Sequence, residues 1–301
     1  MFFSGISRRI APVVAFSQTL VVALWISALP GTAQEVATEG QSSSTAPVVI
    51  PNFWDPRNRV ERPPAGAIQA IRFITTDDFP PFNFLDENGR LTGFNVDLAR
   101  AICTELAIGC TIQAREWDEL PGRIADGTAD AAIAGIAIAA ENRTTLDFSD
   151  VYMRTPARFV VRKDEADIVM TPEGLRGRTL AVVARTAHEA YLAAMFPEVG
   201  RRLYPNADEA RAAVRDGAAD AHFGDGLQLS FWLESEAANG CCAFAGGPYL
   251  ESRFFGQGYA IAIAKTPNTE LRRAINAAMQ AIYEKGAFAE LYLRYFPVGF
   301  F

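Results

Sequence analysis

One ten-residue phrase occurs twice in this chain. DGTADAAIAG at 126–135 returns as DGAADAHFGD at 216–225, ninety residues later, and a helical stretch containing acidic residues precedes each copy. In both copies a glycine is placed to stop the helix, and small and branched residues follow, as in a strand buried within a parallel sheet. A helix-Gly-strand unit used twice implies two similar α/β lobes. Parallel sheets bind ligands beyond the C-terminal ends of their strands. The ends of the two copies, Gly135 and Asp225, are therefore expected to face one cleft.

The chain alternates strand and helix from residue 68 onward. A strand is expected at 71–73 and a hairpin-type turn at Asp86-Glu87-Asn88-Gly89. The next helix places Leu98 or Ala99, Ile102 and Leu106 on one face. Residues 111–114 read as extended, 118–126 as helical and 131–135 as a strand. LAVVARTAHEAYL, ADEARAAVRDG and the second copy then repeat the order, and GQGYAIAIA at 256–264 is a strand returning to the first lobe. Asn268 or Thr269 caps a helix whose inner face carries Leu271, Ile275, Ala278 and Ile282; Gly286 stops it, and Ala287–Tyr295 is a last apolar helix. Two crossing strands, near Phe159-Val160 and Tyr259-Ala260, form the expected hinge.

Residues 1–33 read as a cleaved signal sequence. Arg8 and Arg9 precede an apolar run at 13–26, and Gly31-Thr32-Ala33 offers a small-residue cleavage site. Ser17, Gln18 and Thr19 interrupt the run, which is short for a span of about 20 residues. Residues 34–67, with QSSSTAP and RPPAG, read as a linker, inside which Phe53 and Trp54 are expected to pack on the folded body. Removing the signal deletes two arginines and no acid, taking the net charge from −7 to −9. An acidic exported chain without a basic run argues against nucleic acid and anionic membrane surfaces. Neither of the two histidines lies at ligand spacing from a cysteine, so no metal is expected. With no phosphate loop in the sequence, no cofactor is expected either.

The stretch IRFITTDDFPPFNFLDENGRLTGFNVDLARAICTELAIGC, followed after a short gap by WDELPGRIADGTADAAIAGIAIAAENRTTLDFSD, orders strand, Pro-rich aromatic turn, helix, strand, helix and strand. That order resembles the first lobe of the periplasmic amino-acid-binding proteins, the solute receptors of ABC importers. The likeness covers almost everything after residue 67. It implies a bilobal type II periplasmic binding fold, with lobe one from 68–156 and 257–301 and lobe two from 157–256. It also implies a monomeric periplasmic receptor, not an enzyme, that closes on an amino acid or related small zwitterion and delivers it to an inner-membrane ABC permease. Several such proteins carry a disulfide where Cys103 and Cys110 stand. The chain reverses between these two, which lets their Cα atoms meet the roughly 4.4–6.8 Å that a bridge requires. Export permits disulfides; for adjacent Cys241 and Cys242 a vicinal bridge and a pair of buried thiols both remain open.

A buried zwitterion needs an anion for its ammonium, a cation or backbone N–H groups for its carboxylate, and apolar walls. By the resemblance, Phe79 stacks on the ligand, Trp117 forms a second wall, and Thr76 stands where a polar residue often lies. Asp225 matches the carboxylate that holds the ammonium. Thr186, Ala187 and His188 match a turn opening a helix whose N–H groups favour an anion; Thr186 is expected to contact the ligand, with His188 either in the site or facing solvent. The carboxylate side departs from the family pattern. In AGIAIAAENRTTLDFSD, Ala134, Ala137 and Ala139 replace common hydroxyls, and the clamping arginine position falls on Asn142. A one-residue insertion would bring in Arg143, and the N–H groups of Gly135 and Ala137 stay free to bind oxygen.

Two other readings are open at this point. A dehydratase-like enzyme is known on the same fold, although no Ser-His-Asp ordering is present here. A periplasmic accessory or sensor protein without a transport role would suit the altered carboxylate side. Phe79 and Trp117 suit an apolar or a cationic side chain, and no residue names the ligand.

Overall fold

Strand pairing turns the sequence repeat into architecture. The computed structural model describes residues 50–53, 60–64, 66–267, 269–296 and 299–301. The expected signal sequence 1–33, Trp54 and Asn268 lie outside the described residues.

Two five-stranded sheets share one strand order. In the first, Gly109–Ala114, Ala70–Thr75 and Ala131–Ala132 run parallel, followed by Ala262–Ala264 and Leu146–Phe148, with Ala262–Ala264 antiparallel to both of its neighbours. In the second, Gly200–Tyr204, Thr179–Val183 and Ala221–Asp225 run parallel, then Ala157–Arg162 and Cys242–Tyr249, with Ala157–Arg162 antiparallel to both neighbours. The fold is therefore α/β with two similar lobes. Each fourth position is filled by a strand that arrives from the other lobe.

The repeat has one physical job in both lobes. Asp130 and Asp220 occupy the same place in the two copies, and each Oδ2 accepts a backbone N–H of the central parallel strand, from Arg72 within Ala70–Thr75 and from Thr179 at the start of Thr179–Val183, at 2.7 Å. Each Asp N–H donates back to the carbonyl of that same residue, at 3.0 and 2.9 Å. An arginine completes each carboxylate: Arg72 at 2.7 Å and Arg178 at 3.0 Å. The preceding glycines, Gly127 and Gly217, take φ of +75° and +76°, a left-handed turn that other residues rarely adopt.

Helices Phe94–Leu106, Glu270–Glu284 and Ala287–Tyr295 supply the core of the first lobe, where Phe73, Leu98, Ile102, Ile275 and Phe288 are buried around one cluster. Phe159, Leu180, Val182, Phe196 and Phe223 form the counterpart in the second. Phe53 packs against Phe301 with ring centroids 5.9 Å apart, and Arg62 pairs with Glu105 at 2.7 Å, so the described part of the 34–67 segment is docked on the first lobe. All four cysteines are oxidised: Cys103 to Cys110, with Cα atoms 5.9 Å apart, and Cys241 to its neighbour Cys242.

Two expectations shift. The strand read at 131–135 stops at Ala132, because Gly135 turns at φ +77° and leads the chain into the cleft. The hinge lies earlier than Phe159-Val160, since that pair sits inside the buried strand Ala157–Arg162. The two crossings meet instead at Met153 and Tyr259, paired antiparallel, with Tyr259 N–H to Met153 C=O at 2.7 Å and Tyr152 N–H to Tyr259 C=O at 2.9 Å.

Removing either repeat carboxylate leaves a strand N–H without its acceptor and takes one acceptor from a guanidinium, with Arg72 keeping Gly127 C=O and Arg178 keeping Glu165. Asp130→Ala and Asp220→Ala should each lower the unfolding free energy by about 2 kcal/mol, the range for hydrogen bonds to charged groups. Urea titration of both variants and of the double variant checks this, and the losses should add because the sites sit in separate lobes.

Candidate functional site

A cleft of about 310 Å³ opens where the two crossings leave the sheets, lined by Gly135 and Ala137 on one side and Arg154, Thr155, Gln257 and Tyr259 on the other. Phe79 comes to its edge from a short hairpin, Asp78–Phe79 against Asn83–Leu85. Phe82 stacks on the Phe79 ring at 4.9 Å and Tyr259 meets it edge-on at 6.2 Å, yet the residue stays 36% exposed. A side chain at Gly135 would come 3.6–3.7 Å from the Tyr259 and Phe79 rings, ordinary contact distance, so the left-handed turn at φ +77°, and not lack of space, favours glycine beside this aromatic floor.

Asp225 ends strand Ala221–Asp225 and caps the helix Gly226–Glu234, its Oδ1 accepting the Gln228 N–H at 2.8 Å. Burial pushes its carboxyl above the usual carboxylate range, against the lowering effect of the Gln228 and Leu227 N–H groups, Arg211 and the Thr155 side chain. Tyr259 is raised for the same reason, with Asp225 adding to the effect and Thr155 opposing it. Asp225 thus reaches the first cleft through two of its lining residues.

Asp225 also lines a second cavity of about 200 Å³ with Thr186, His188, Arg211, His222 and Gln228. Thr186 caps the helix Ala187–Met195, donating to Val183 C=O at 2.8 Å and accepting from Glu189 N–H at 3.3 Å. His188 stacks on Phe255 at 5.3 Å, and His222 Nδ1 lies 2.9 Å from Ala181 C=O. Burial lowers both imidazoles to about 4; Arg211 and His188 push His222 the same way.

Of the residues expected from sequence, Phe79, Gly135 and Ala137 gather at the first cleft, and Thr186, His188 and Asp225 at the second cavity. Thr76 is 5% exposed, its Oγ accepting from Asn83 at 2.8 Å in a chain that continues through Asn95 to Tyr152. Trp117 opens a turn with 51% of its surface exposed and lines neither cavity. The Arg143 guanidinium lies 5.5 Å from the Phe148 ring centroid, away from both cavities, and its carbonyl accepts from Lys265 at 2.6 Å. Asn142 Nδ2 donates to Ala137 C=O at 2.9 Å. Sequence reading missed Arg154, Thr155 and Tyr259 in the cleft and Arg211 beside Asp225. Among the described residues no group of three or more His, Cys, Asp or Glu is placed to hold a metal, and no helix is long and apolar enough to cross a membrane.

The sequence profile of the bacterial extracellular solute-binding proteins, family 3, matches residues 71–298. An L-arginine-binding protein of Pseudomonas aeruginosa is 29% identical over 237 residues, 78% of this chain and 90% of that protein. Among solved structures, an ancestral cationic amino acid solute-binding protein aligns at 27% identity and a TM-score of 0.56, over 75% of this chain and 95% of its own. An ancestral cyclohexadienyl dehydratase aligns at 22% identity and a TM-score of 0.61, over 76% and 93%.

The two histidines carry a pH dependence whose sign follows from their burial. Their folded values near 4 lie below the unfolded value of about 6.5. The unfolded chain therefore takes up protons that the folded one refuses, and stability is lost as pH falls from about 6.5 toward 4. Asp225, raised by burial, opposes this trend at the acid end. Denaturant unfolding at pH 7.5, 6 and 5 should show the decline, and a His188→Gln/His222→Gln variant should flatten it.

Proposed function

The chain belongs to family 3 of the bacterial extracellular solute-binding proteins, and from that premise we propose that it is the receptor of an ABC importer. It closes on an amino acid or related small zwitterion and presents the closed form to an inner-membrane permease. Lobe one is residues 68–156 with 257–301, and lobe two is 157–256. The receptor is exported to the periplasm by cleavage of 1–33 and works there as a monomer without a cofactor.

Asp225 carries the reading. A half-buried carboxylate at the cleft is costly unless paired, and a ligand ammonium is the charge that suits it. On the opposite wall, no acceptor for the Gly135 or Ala137 N–H is found among the described residues, which leaves two donors for a carboxylate beside the apolar Phe79 ring. The arginine-binding relative supports an amino acid as the ligand class. The dehydratase, at 22% identity, shares the fold alone, so binding without turnover is the reading adopted. Ligand touching both lobes completes its contacts only in the closed form, and that difference shifts the population toward closure.

The test uses protein stripped of ligand by unfolding and refolding, then screened by thermal unfolding against amino acids. A ligand at about 100 times its dissociation constant adds about 2.7 kcal/mol. Asp225→Asn keeps the helix cap but should weaken binding by about 2 kcal/mol or more. Binding should also weaken as pH falls through the raised Asp225 value, because the ammonium needs the ionised carboxylate. No response across the panel would favour a receptor of another solute or an accessory role.

A further inference from the structure

Neither residue at the expected clamp position serves the carboxylate side. Asn142 is committed to Ala137 C=O, and Arg143 lies over Phe148. One basic residue does line the 310 Å³ cleft: Arg154, on the first crossing. It is exposed, and among the described residues it makes no ion pair or hydrogen bond.

Its base is nonetheless held in place. Met153 on one side pairs with Tyr259, and Thr155 on the other meets Asp225 and Tyr259. Gly258, at φ +106°, leaves room for the Arg154 stem; a Cβ there would stand 2.8 Å from Arg154 Cγ. A fixed stem with a free guanidinium is suited to taking a carboxylate through two parallel hydrogen bonds.

The charge count around the cleft narrows the ligand further. Among the described residues, no Asp or Glu lines it, and Asp225 reaches it only through Thr155 and Tyr259. The neighbouring cavity adds a second cation, Arg211, and no acid other than Asp225. One acid against two arginines covers both ends of a zwitterion and leaves no carboxylate to pair with a cationic side chain. The rest of the wall mixes apolar Phe79, Ile138, Leu250 and Phe255 with the uncharged polar groups of Ser252 and Gln257.

We propose that Arg154 holds the ligand carboxylate and that the site takes amino acids with uncharged side chains. The inference rests on the receptor reading above. Isothermal titration of stripped wild type, Arg154→Gln, Arg154→Lys and Arg143→Gln with the proteinogenic L-amino acids tests it. The decarboxylated amine of the best binder serves as a further probe.

The expected result has an uncharged amino acid binding wild type most tightly. Arg154→Gln then binds it about 30-fold or more weaker, the range for truncating one partner of a paired charge. Arg154→Lys falls between, and the amine binds wild type and Arg154→Gln alike. Unchanged affinity in Arg154→Gln, or the loss appearing in Arg143→Gln instead, overturns the residue assignment. L-arginine or L-lysine as the best binder overturns the ligand class. Wild type that binds no amino acid overturns the amino-acid ligand class on which both rest, an outcome separate from the other two.

Discussion

The antiparallel meeting of the two crossings at Met153 and Tyr259 is the constraint on which the site depends. It joins two lobes that each have their own sheet and core. It also sets the position of Arg154, Thr155 and Tyr259 along the cleft wall. The meeting requires a glycine beside it: a Cβ at Gly258 would stand 2.6 Å from Met153 C=O. Such an approach is open only to a residue without a side chain. The same geometry places Tyr259 against the Phe79 and Phe82 rings at 6.2 and 5.1 Å, so the aromatic floor and the hinge are one structure.

What was legible in the sequence was local and repeated. Asp130 and Asp220 stand at fixed places in a phrase that occurs twice, and their bonds lie within one helix-Gly-strand unit and the strand beside it. Asp225 was legible for the same reason, as the end of the second copy. Thr76, Trp117 and Arg143 were harder because orientation, not identity, decides them. Thr76 is drawn inward by Asn83, and Arg143 is turned outward by a short helical turn over Phe148. Tyr259 was legible as part of a crossing but not as a cleft residue, and Arg154 had no signal, since the cleft wall exists only after two segments about a hundred residues apart come together.

The second lobe concentrates polar groups where water is scarce. Asp225, Arg211, His188 and His222 border one cavity, and burial shifts each toward its neutral form. Desolvation strengthens every charge interaction made there. A partner that arrives with its own charge therefore gains more from Asp225 than from any exposed acid on the surface. Thr155 offers the carboxylate an interim partner from the first crossing, without the full charge that would neutralise it.

On the proposed assignment, a carboxylate contact on the crossing bears on which contact would drive closure. A ligand shifts a conformational equilibrium only through interactions that differ between the two states. An arginine carried on a lobe engages fully only when that lobe swings in. Arg154 lies on the crossing itself, beside the Met153–Tyr259 meeting, and belongs to no strand of either five-stranded sheet. Its ion pair would then contribute to affinity and orientation more than to closure. The closing force falls to the groups that must converge from opposite sides: the Phe79 ring and the Gly135 and Ala137 N–H groups of one lobe, and Asp225 of the other. Two of them, Gly135 and Asp225, end the two copies of the internal repeat, beyond the C-terminal ends of strands that hold equivalent places in the two sheets.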